Sequence, residues 1–386
     1  MFNNLKIAFS DKSNRDLNRA YILFKTISNP LISSILTVLV KTAIWIHLPI
    51  NFIIRRTIYE HFCGGTTIKD SQNTINKLWR SNIGTILDFS AEGQKNEADF
   101  NMVMDETIAS IIKAKDNESI PFAVFKPTGL IRFSLLEKIS NNKKLSTKQK
   151  KEKENFEIRV ENICNMSYIN KVPVFIDAEE SWIQDAIDII AIKMMQKFNK
   201  DRAWIFNTIQ FYRNDRIEHL ENLIDNAEKN NFIIGIKLVR GAYHRQEMER
   251  AEKMGYPCPV HQKKEKTDRD YDKGLRICIN NMHIVSLCAG THNESSSALL
   301  VHLIEQQKIS KKDKRFYFSQ LLGMSDHISY NLAKKGFNVA KYVPYGPIKN
   351  VLPYLIRRAE ENTSIAGQMG RELINITAEK ERRKKN

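Results

Sequence analysis

The residues of this 386-residue chain that could do chemistry are marked by their position more than by any compact motif. Arg357 and Arg358 stand side by side, with Tyr342 and Tyr354 before them and Glu361 just after. Adjacent positions on a helix point about 100° apart, so paired arginines rarely share one solvated stripe. Guanidinium is a planar fork suited to bidentate capture of carboxylate. Two forks from one helix can close on both oxygens of a small carboxylic acid, and Glu92 or Glu361 could hold an arginine in position. An ordinary surface salt-bridge network is the rival reading, and spacing alone leaves it open.

The elements that must position such groups are legible from residue 80 onward. Eight short apolar runs recur, at 83–89, 120–125, 172–176, 203–209, 232–239, 283–289, 315–319 and 337–343. Patterns of helical period separate most of them, for example "SWIQDAIDIIAIKMMQKF" (181–198) and "NESSSALLVHLIEQQ" (293–307). Strands apolar on both faces and alternating with helices indicate a parallel sheet with right-handed crossovers. Eight units over this length predict an α/β fold of the (β/α)8 TIM-like barrel type. A doubly wound open sheet is the competitor, but no G-x-G-x-x-G follows the first strand.

A barrel carries its chemistry at the carboxyl ends of its strands. Those ends read Glu92, Lys126, Asp177, Gln210, Lys237 with "RGAY" (240–243), Thr291-His292-Asn293, Gln320 and Tyr342. Polar groups at nearly every end, with apolar strand interiors between, predict a site. No G-x-S-x-G elbow or phosphate loop is present. Lys126 facing Asp177 would serve an ion pair rather than an acid/base dyad. The ring of amides, hydroxyls and cations suits a large polar cofactor, and hydride chemistry needs one because no side chain accepts a hydride.

The net charge of +16 invites a nucleic-acid reading. Half of it, however, lies in two local runs, +5 over 138–154 and +3 over 379–386, which read as a solvated helix and a basic tail. No zinc-finger spacing, RNP-like strand or repeat supports nucleic-acid binding. Five cysteines without a C-x-x-C pair suit reduced thiols, and no histidine spacing proposes a metal site. Residues 30–54 are apolar but interrupted by Lys41, His47 and Pro49. They read as a helix packed on the domain or dipping into a bilayer surface, with Lys41, Arg55 and Arg56 at headgroup level.

The segments "VFIDAEES", "IFNTIQFY", "IKLVRGAYHRQEMERAEKMGYPCPV", "AGTHNESS", "FYFSQLLGMSDHISYNLAKKGFNVAKYVPYGP" and "YLIRRAEENTS" together resemble the proline dehydrogenase family. The resemblance covers roughly residues 80–366, in order. It implies a distorted (β/α)8 barrel with FAD at its carboxyl face, oxidising L-proline to pyrroline-5-carboxylate by hydride transfer. On that resemblance Arg357, Arg358 and Lys126 bind the substrate carboxylate, and Lys126 pairs with Asp177. Tyr342, Tyr354, Tyr243 and Leu322 wall the substrate ring, although the register shifts by one residue near Leu322. Asp177 and Lys237 are the catalytic candidates, Lys237 lying beside the flavin. Ala178, Gln210, Arg240, Gly241, Ala242, Thr291, His292 and Glu361 match cofactor-contacting positions.

The same resemblance implies a membrane quinone as electron acceptor, and a cytoplasmic protein held peripherally at the inner face of the membrane. No aldehyde-dehydrogenase half follows residue 386, so a separate pyrroline-5-carboxylate dehydrogenase is the expected partner downstream. The expected organisation is an N-terminal helical extension (1–79), the catalytic barrel (80–366) and a basic C-terminal tail (367–386). Hydroxyproline or another cyclic imino acid is the first alternative substrate. A lysine Schiff-base aldolase using Lys126 or Lys237 is a remoter one, and a basic binding module without catalysis is a third.

Overall fold

The computed structural model describes residues 1–29, 51–90, 93–364 and 368–385. Its centre is a closed barrel of eight parallel strands in sequential order. They are β1 (Ile83–Phe89), β2 (Phe122–Phe125), β3 (Val174–Ile176), β4 (Ile205–Gln210), β5 (Ile234–Val239), β6 (Val285–Gly290), β7 (Phe316–Leu321) and β8 (Val339–Tyr345). Closure comes from β1 against β8, paired from Ile83↔Val339 through to Phe89↔Tyr345. Each expected apolar run holds one strand.

Alternation along the strands sorts side chains to two sides of the barrel wall. Ile86, Phe122, Val124, Phe175, Phe206, Cys288, Ala340 and Tyr342 fill the interior. Phe122 and Phe175 stack there at 4.4 Å between centroids, with Phe206 edge-on to both. Gly235 makes this aromatic layer possible, because a Cβ at that position would lie 2.7 Å from the Phe206 ring. The opposite parity, including Ile83, Leu87, Val174, Ile176, Ile236, Leu238 and Phe318, packs against the outer helices in the main core.

Those helices form where the periodicity placed them. The helix Ser181–Phe198 has the expected bounds, and Asn293 caps the helix Glu294–Gln306 by accepting from Ser296 N. The lysine-rich run 138–154 is divided. It spans the end of the helix Phe133–Ser140 and the start of Thr147–Asn170, whose Ser146/Gln149 capping box fixes the second helix's first turn.

The N-terminal extension is folded onto the barrel. Phe9, Leu17, Ala20, Phe24, Phe62, Met324, Val351, Tyr354, Leu355 and Ile376 belong to a second hydrophobic cluster. It joins the helix Asn14–Ile27, the β7–β8 side of the barrel and both C-terminal helices. Tyr59 O–H donates to the carbonyls of Gly65 (2.6 Å) and Gly346 (2.8 Å), gripping the turn after β8.

Residues 367–386, expected as a solvated basic tail, instead contain the helix Gln368–Lys384. Two of its basic residues are tied down. Arg382 and Arg383 both pair with the buried Glu379, and Arg383 also donates to the carbonyls of Phe9 and Lys12. No helix among the described residues is long and apolar enough to cross a membrane. Residues 30–50, which hold most of the apolar stretch read as a surface helix, lie outside the described residues.

Candidate active site

The helix Ile348–Ser364 follows β8 and carries the arginine pair. It continues unbroken through Pro353, although proline inside a helix removes a backbone hydrogen bond. Its inward face explains this, because Val351, Tyr354, Leu355 and Arg358 recur at helical spacing and are all buried. Arg358 is only 6% exposed, and its guanidinium lies 5.0 Å from the Tyr354 ring. Arg357 is half-buried and lies 5.8 Å from the ring of Tyr243, in the loop after β5. The helix therefore reaches from β8 across the mouth to the β5 loop, with both arginines turned toward protein rather than bulk water.

Beneath it lies a buried polar trio. Lys237 of β5 forms an ion pair in direct contact with Asp177, at the end of β3, and also donates to the Tyr342 hydroxyl. Tyr342 of β8 donates to Asp177 Oδ1 at 3.2 Å. Lys237 Nζ also lies 4.5 Å from the Tyr342 ring centroid and 5.1 Å from that of Phe175. Burial, and then the Asp177 charge, raise the Tyr342 phenol well above its ordinary value, so it remains a neutral donor. The cation in direct contact with Asp177 is thus Lys237, where Lys126 was the expected one. Lys126 itself stands directly after β2, at the start of the following loop.

That loop is held by a group the sequence reading did not single out. Thr128 N donates to Glu179 Oε1 at 2.9 Å and its hydroxyl donates to Oε2, while Gln210 Nε2 donates to the Glu179 carbonyl at 2.6 Å. Glu179 thereby joins the ends of β2, β3 and β4. Burial, then the neighbouring Glu180, push its carboxyl up to about 8. The acid was visible in "DAEES", but its burial is a property of the closed barrel.

On the β5–β6 side, Arg240 bridges loops through Asp268 (Nε, 2.6 Å), Thr291 (Nη1) and Ser296 (Nη2, 2.9 Å). Gly241 has φ +137°, a backbone conformation that side chains rarely adopt, and a Cβ there would meet the Tyr212 ring at 2.5 Å. His292 is held by Ser325 Oγ at 2.9 Å from Nδ1. Burial, then Lys341, Arg358, His327 and Arg240, drive its pKa far below the ordinary histidine value. Burial is the larger cause, and the nearby Arg240 and Arg358 guanidiniums add to it, so the imidazole stays neutral.

Leu322 is a second correction. β7 extends to Leu321, and it is Leu321 that packs on the interior cluster with Tyr342. Leu322 has the opposite parity, packs against the outer core and lines a side cavity of about 270 Å³ with Leu17, Phe24 and His61. Tyr354 sits in the second hydrophobic cluster, with its ring beside Arg358. Ala178 and Ala242 lie in the loops after β3 and β5 as expected. Glu92 and the side chain of Glu361 lie outside the described residues. Lys341, within an apolar run on β8, was also missed. It is fully buried and donates to Asp326 Oδ1 at 2.8 Å outside the barrel wall.

A (β/α)8 barrel with a covered, cationic mouth at the carboxyl ends of its strands has the architecture of a barrel enzyme. The proline dehydrogenase family profile matches residues 71–371, and the chain belongs to that family. It is 35% identical over 301 residues to the carbapenem antibiotics biosynthesis protein CarD of Pectobacterium carotovorum, covering 78% of each chain. It is 32% identical over 381 residues to mitochondrial proline dehydrogenase 1 of Dictyostelium discoideum, covering 87% of this chain and 66% of that one. A hydroxyproline dehydrogenase of Xenopus laevis is 36% identical over 229 residues, 58% of this chain and 49% of that one. The structure of proline utilization A from Bdellovibrio bacteriovorus superposes with a TM-score of 0.71 at 20% identity, a likeness of fold. It covers 95% of this chain, which spans 37% of the length of that larger protein.

Proposed function

We propose that the protein is a flavin-dependent dehydrogenase that oxidises L-proline to pyrroline-5-carboxylate. The observation that carries this reading is the arginine pair turned inward over the Lys237–Asp177–Tyr342 trio. Arg357 and Arg358 would bind the proline carboxylate as two forks, with Lys126 at the same rim. Leu321 and the Tyr342 ring would wall the pyrrolidine ring, and the covering helix would exclude water. Rigid alignment of a small ring supplies the proximity term. The substrate amine must be neutral to release its electron pair, so the rate rises with pH through the pKa of the bound amine.

The mouth residues fit FAD. Arg240, Thr291, His292 and Gln210 form a donor-rich shelf, and the Arg240 and Arg358 guanidiniums near it favour an anionic group such as a diphosphate. Arg240, Gly241, Ala242, Ala178, Gln210, Thr291, His292 and Glu361 would hold the cofactor, with Lys237 a fixed positive charge beside it. When bound, FAD supplies the hydride acceptor that no side chain provides. A membrane quinone as electron acceptor, a peripheral location at the membrane's inner face and a separate pyrroline-5-carboxylate dehydrogenase complete the reading. The net charge of +16 supports attraction to anionic lipid.

Hydroxyproline is the second reading, favoured by the likeness to the Xenopus enzyme. Steady-state rates on both substrates, with Arg357→Met and Arg358→Met, test the proposal. Proline should be preferred, and each variant should raise KM at least tenfold while retaining flavin. Normal KM in both variants would refute the carboxylate clamp, and faster hydroxyproline turnover would reverse the substrate assignment.

A further inference from the structure

The C-terminal helix Gln368–Lys384 touches two of the loops that build the mouth, through two adjacent residues. Arg371 Nε donates to Glu294 Oε1 at 3.0 Å, at the start of the helix after β6, and His327 Nε2 contacts the same oxygen at 3.1 Å. Glu372, buried at 4% exposure, accepts from Ser325 N at 2.6 Å in the loop after β7. Ser325 is left-handed, with φ 52° and ψ 40°, a conformation that a serine keeps only when its surroundings hold it. Its carbonyl accepts from Ile328 N (2.9 Å) and Ser329 N (3.1 Å), and its hydroxyl meets His292 Nδ1 at 2.9 Å. All three polar groups of one strained residue are thus committed, one of them to the cofactor shelf.

We propose that Glu372 is a positioning residue for the cofactor face: its carboxylate holds Ser325 left-handed, and Ser325 in turn orients the His292 imidazole. A buried N–H without its acceptor must turn toward another partner, and rotation of the Ser325 backbone swings its hydroxyl away from His292. A parallel tie fixes the rest of the same loop pair. Ser329 Oγ donates to Gln320 Oε1 at 2.7 Å, and Gln320 Nε2 donates to the Thr291 carbonyl at 3.1 Å. The β6 and β7 loops therefore keep their spacing when Glu372 is changed, which confines the effect to His292. The inference deepens the flavin reading of the site and rests on it only for the cofactor measurement.

The test compares Glu372→Ala, Glu372→Gln, Ser325→Ala and the Glu372→Ala/Ser325→Ala double variant in the whole chain. The ¹⁵N-histidine NMR signals of His292, assigned with His292→Asn, require no cofactor. Glu372→Ala and Ser325→Ala should move the His292 Nδ1 shift in the same way and without additivity, while Glu372→Gln, which keeps a carbonyl acceptor, leaves it in place. FAD affinity, from quenching of flavin fluorescence, should fall on the order of tenfold in Glu372→Ala and recover in Glu372→Gln. A His292 signal unchanged in Glu372→Ala would overturn the proposal, whatever the melting temperature did. Failure of the wild-type chain to take up FAD would count against the flavin reading alone, because the NMR result stands without it.

Discussion

The contact between Lys237 and Asp177 is the most consequential interaction at the barrel mouth, and its energy can be isolated. Their side chains are 5% and 12% exposed, so neither charge has water in reserve. Removing one member of such a pair leaves an uncompensated buried charge, which costs about 3–5 kcal/mol. Lys237→Met leaves a buried carboxylate without its cation, beside the Tyr342 hydroxyl, and Asp177→Asn leaves a buried ammonium with an amide, that hydroxyl and two ring faces. Neutralising both removes the stranded charge, so the double variant should lose far less than the sum of the singles.

For 386 residues the unfolding entropy at about 2.1 cal/mol/K per residue is about 0.8 kcal/mol/K, so a loss of about 4 kcal/mol lowers Tm by about 5 °C. Thermal unfolding of wild type, both singles and the double should show singles near 5 °C below wild type and a double no lower than either. The coupling energy then exceeds about 3 kcal/mol. Additive losses, within about 0.5 kcal/mol, would refute the pairing and return Asp177 to the partner first expected for it, Lys126.

Two further outcomes follow from single positions. Gly241→Ala places a methyl 2.5 Å from the Tyr212 ring at φ +137°, and should cost about 1–3 kcal/mol in thermal denaturation together with flavin retention. An unchanged Tm would show that the loop is not held in that conformation. Burial, then Asp326, push the Glu372 carboxyl up to about 7, with Ser325 N–H and Lys341 acting in the opposite direction. Its ordinary value is near 4.5, so between there and 7 the native state holds the extra proton. Stability from this group therefore falls as pH rises through that window, by about 3 kcal/mol at most. Urea unfolding at pH 5 and pH 8 should show a drop in wild type that Glu372→Gln reduces. Equal drops in both would place the titration elsewhere.

The strand positions were legible because barrel strands are apolar on both faces, and a short run such as "IGTILDF" carries that signal locally. The carboxyl-end residues followed from strand ends alone. Partners were not legible. Lys126 and Lys237 are both lysines near strand ends, and only the barrel's closure decides which one meets Asp177. At β7 the resemblance itself carried a one-residue shift in register, and a shift of one residue exchanges the faces of Leu321 and Leu322. The C-terminal segment 379–386 looked like a solvated tail by charge. Its arginines are instead held by Glu379 and by the carbonyls of Phe9 and Lys12, the latter more than 370 residues earlier in the chain. Glu179, Ser325, Lys341 and Glu372 share this character, since their roles arise from contacts between loops rather than from local pattern.

Anaerobic titration of the FAD-loaded protein with L-proline is the most direct measurement of the central claim, that this covered cationic mouth oxidises a small cyclic amino acid. The visible flavin bands should bleach with formation of one pyrroline-5-carboxylate per flavin, and Arg358→Met should need at least tenfold more proline to reach the same point. A flavin spectrum untouched by saturating proline would contradict it.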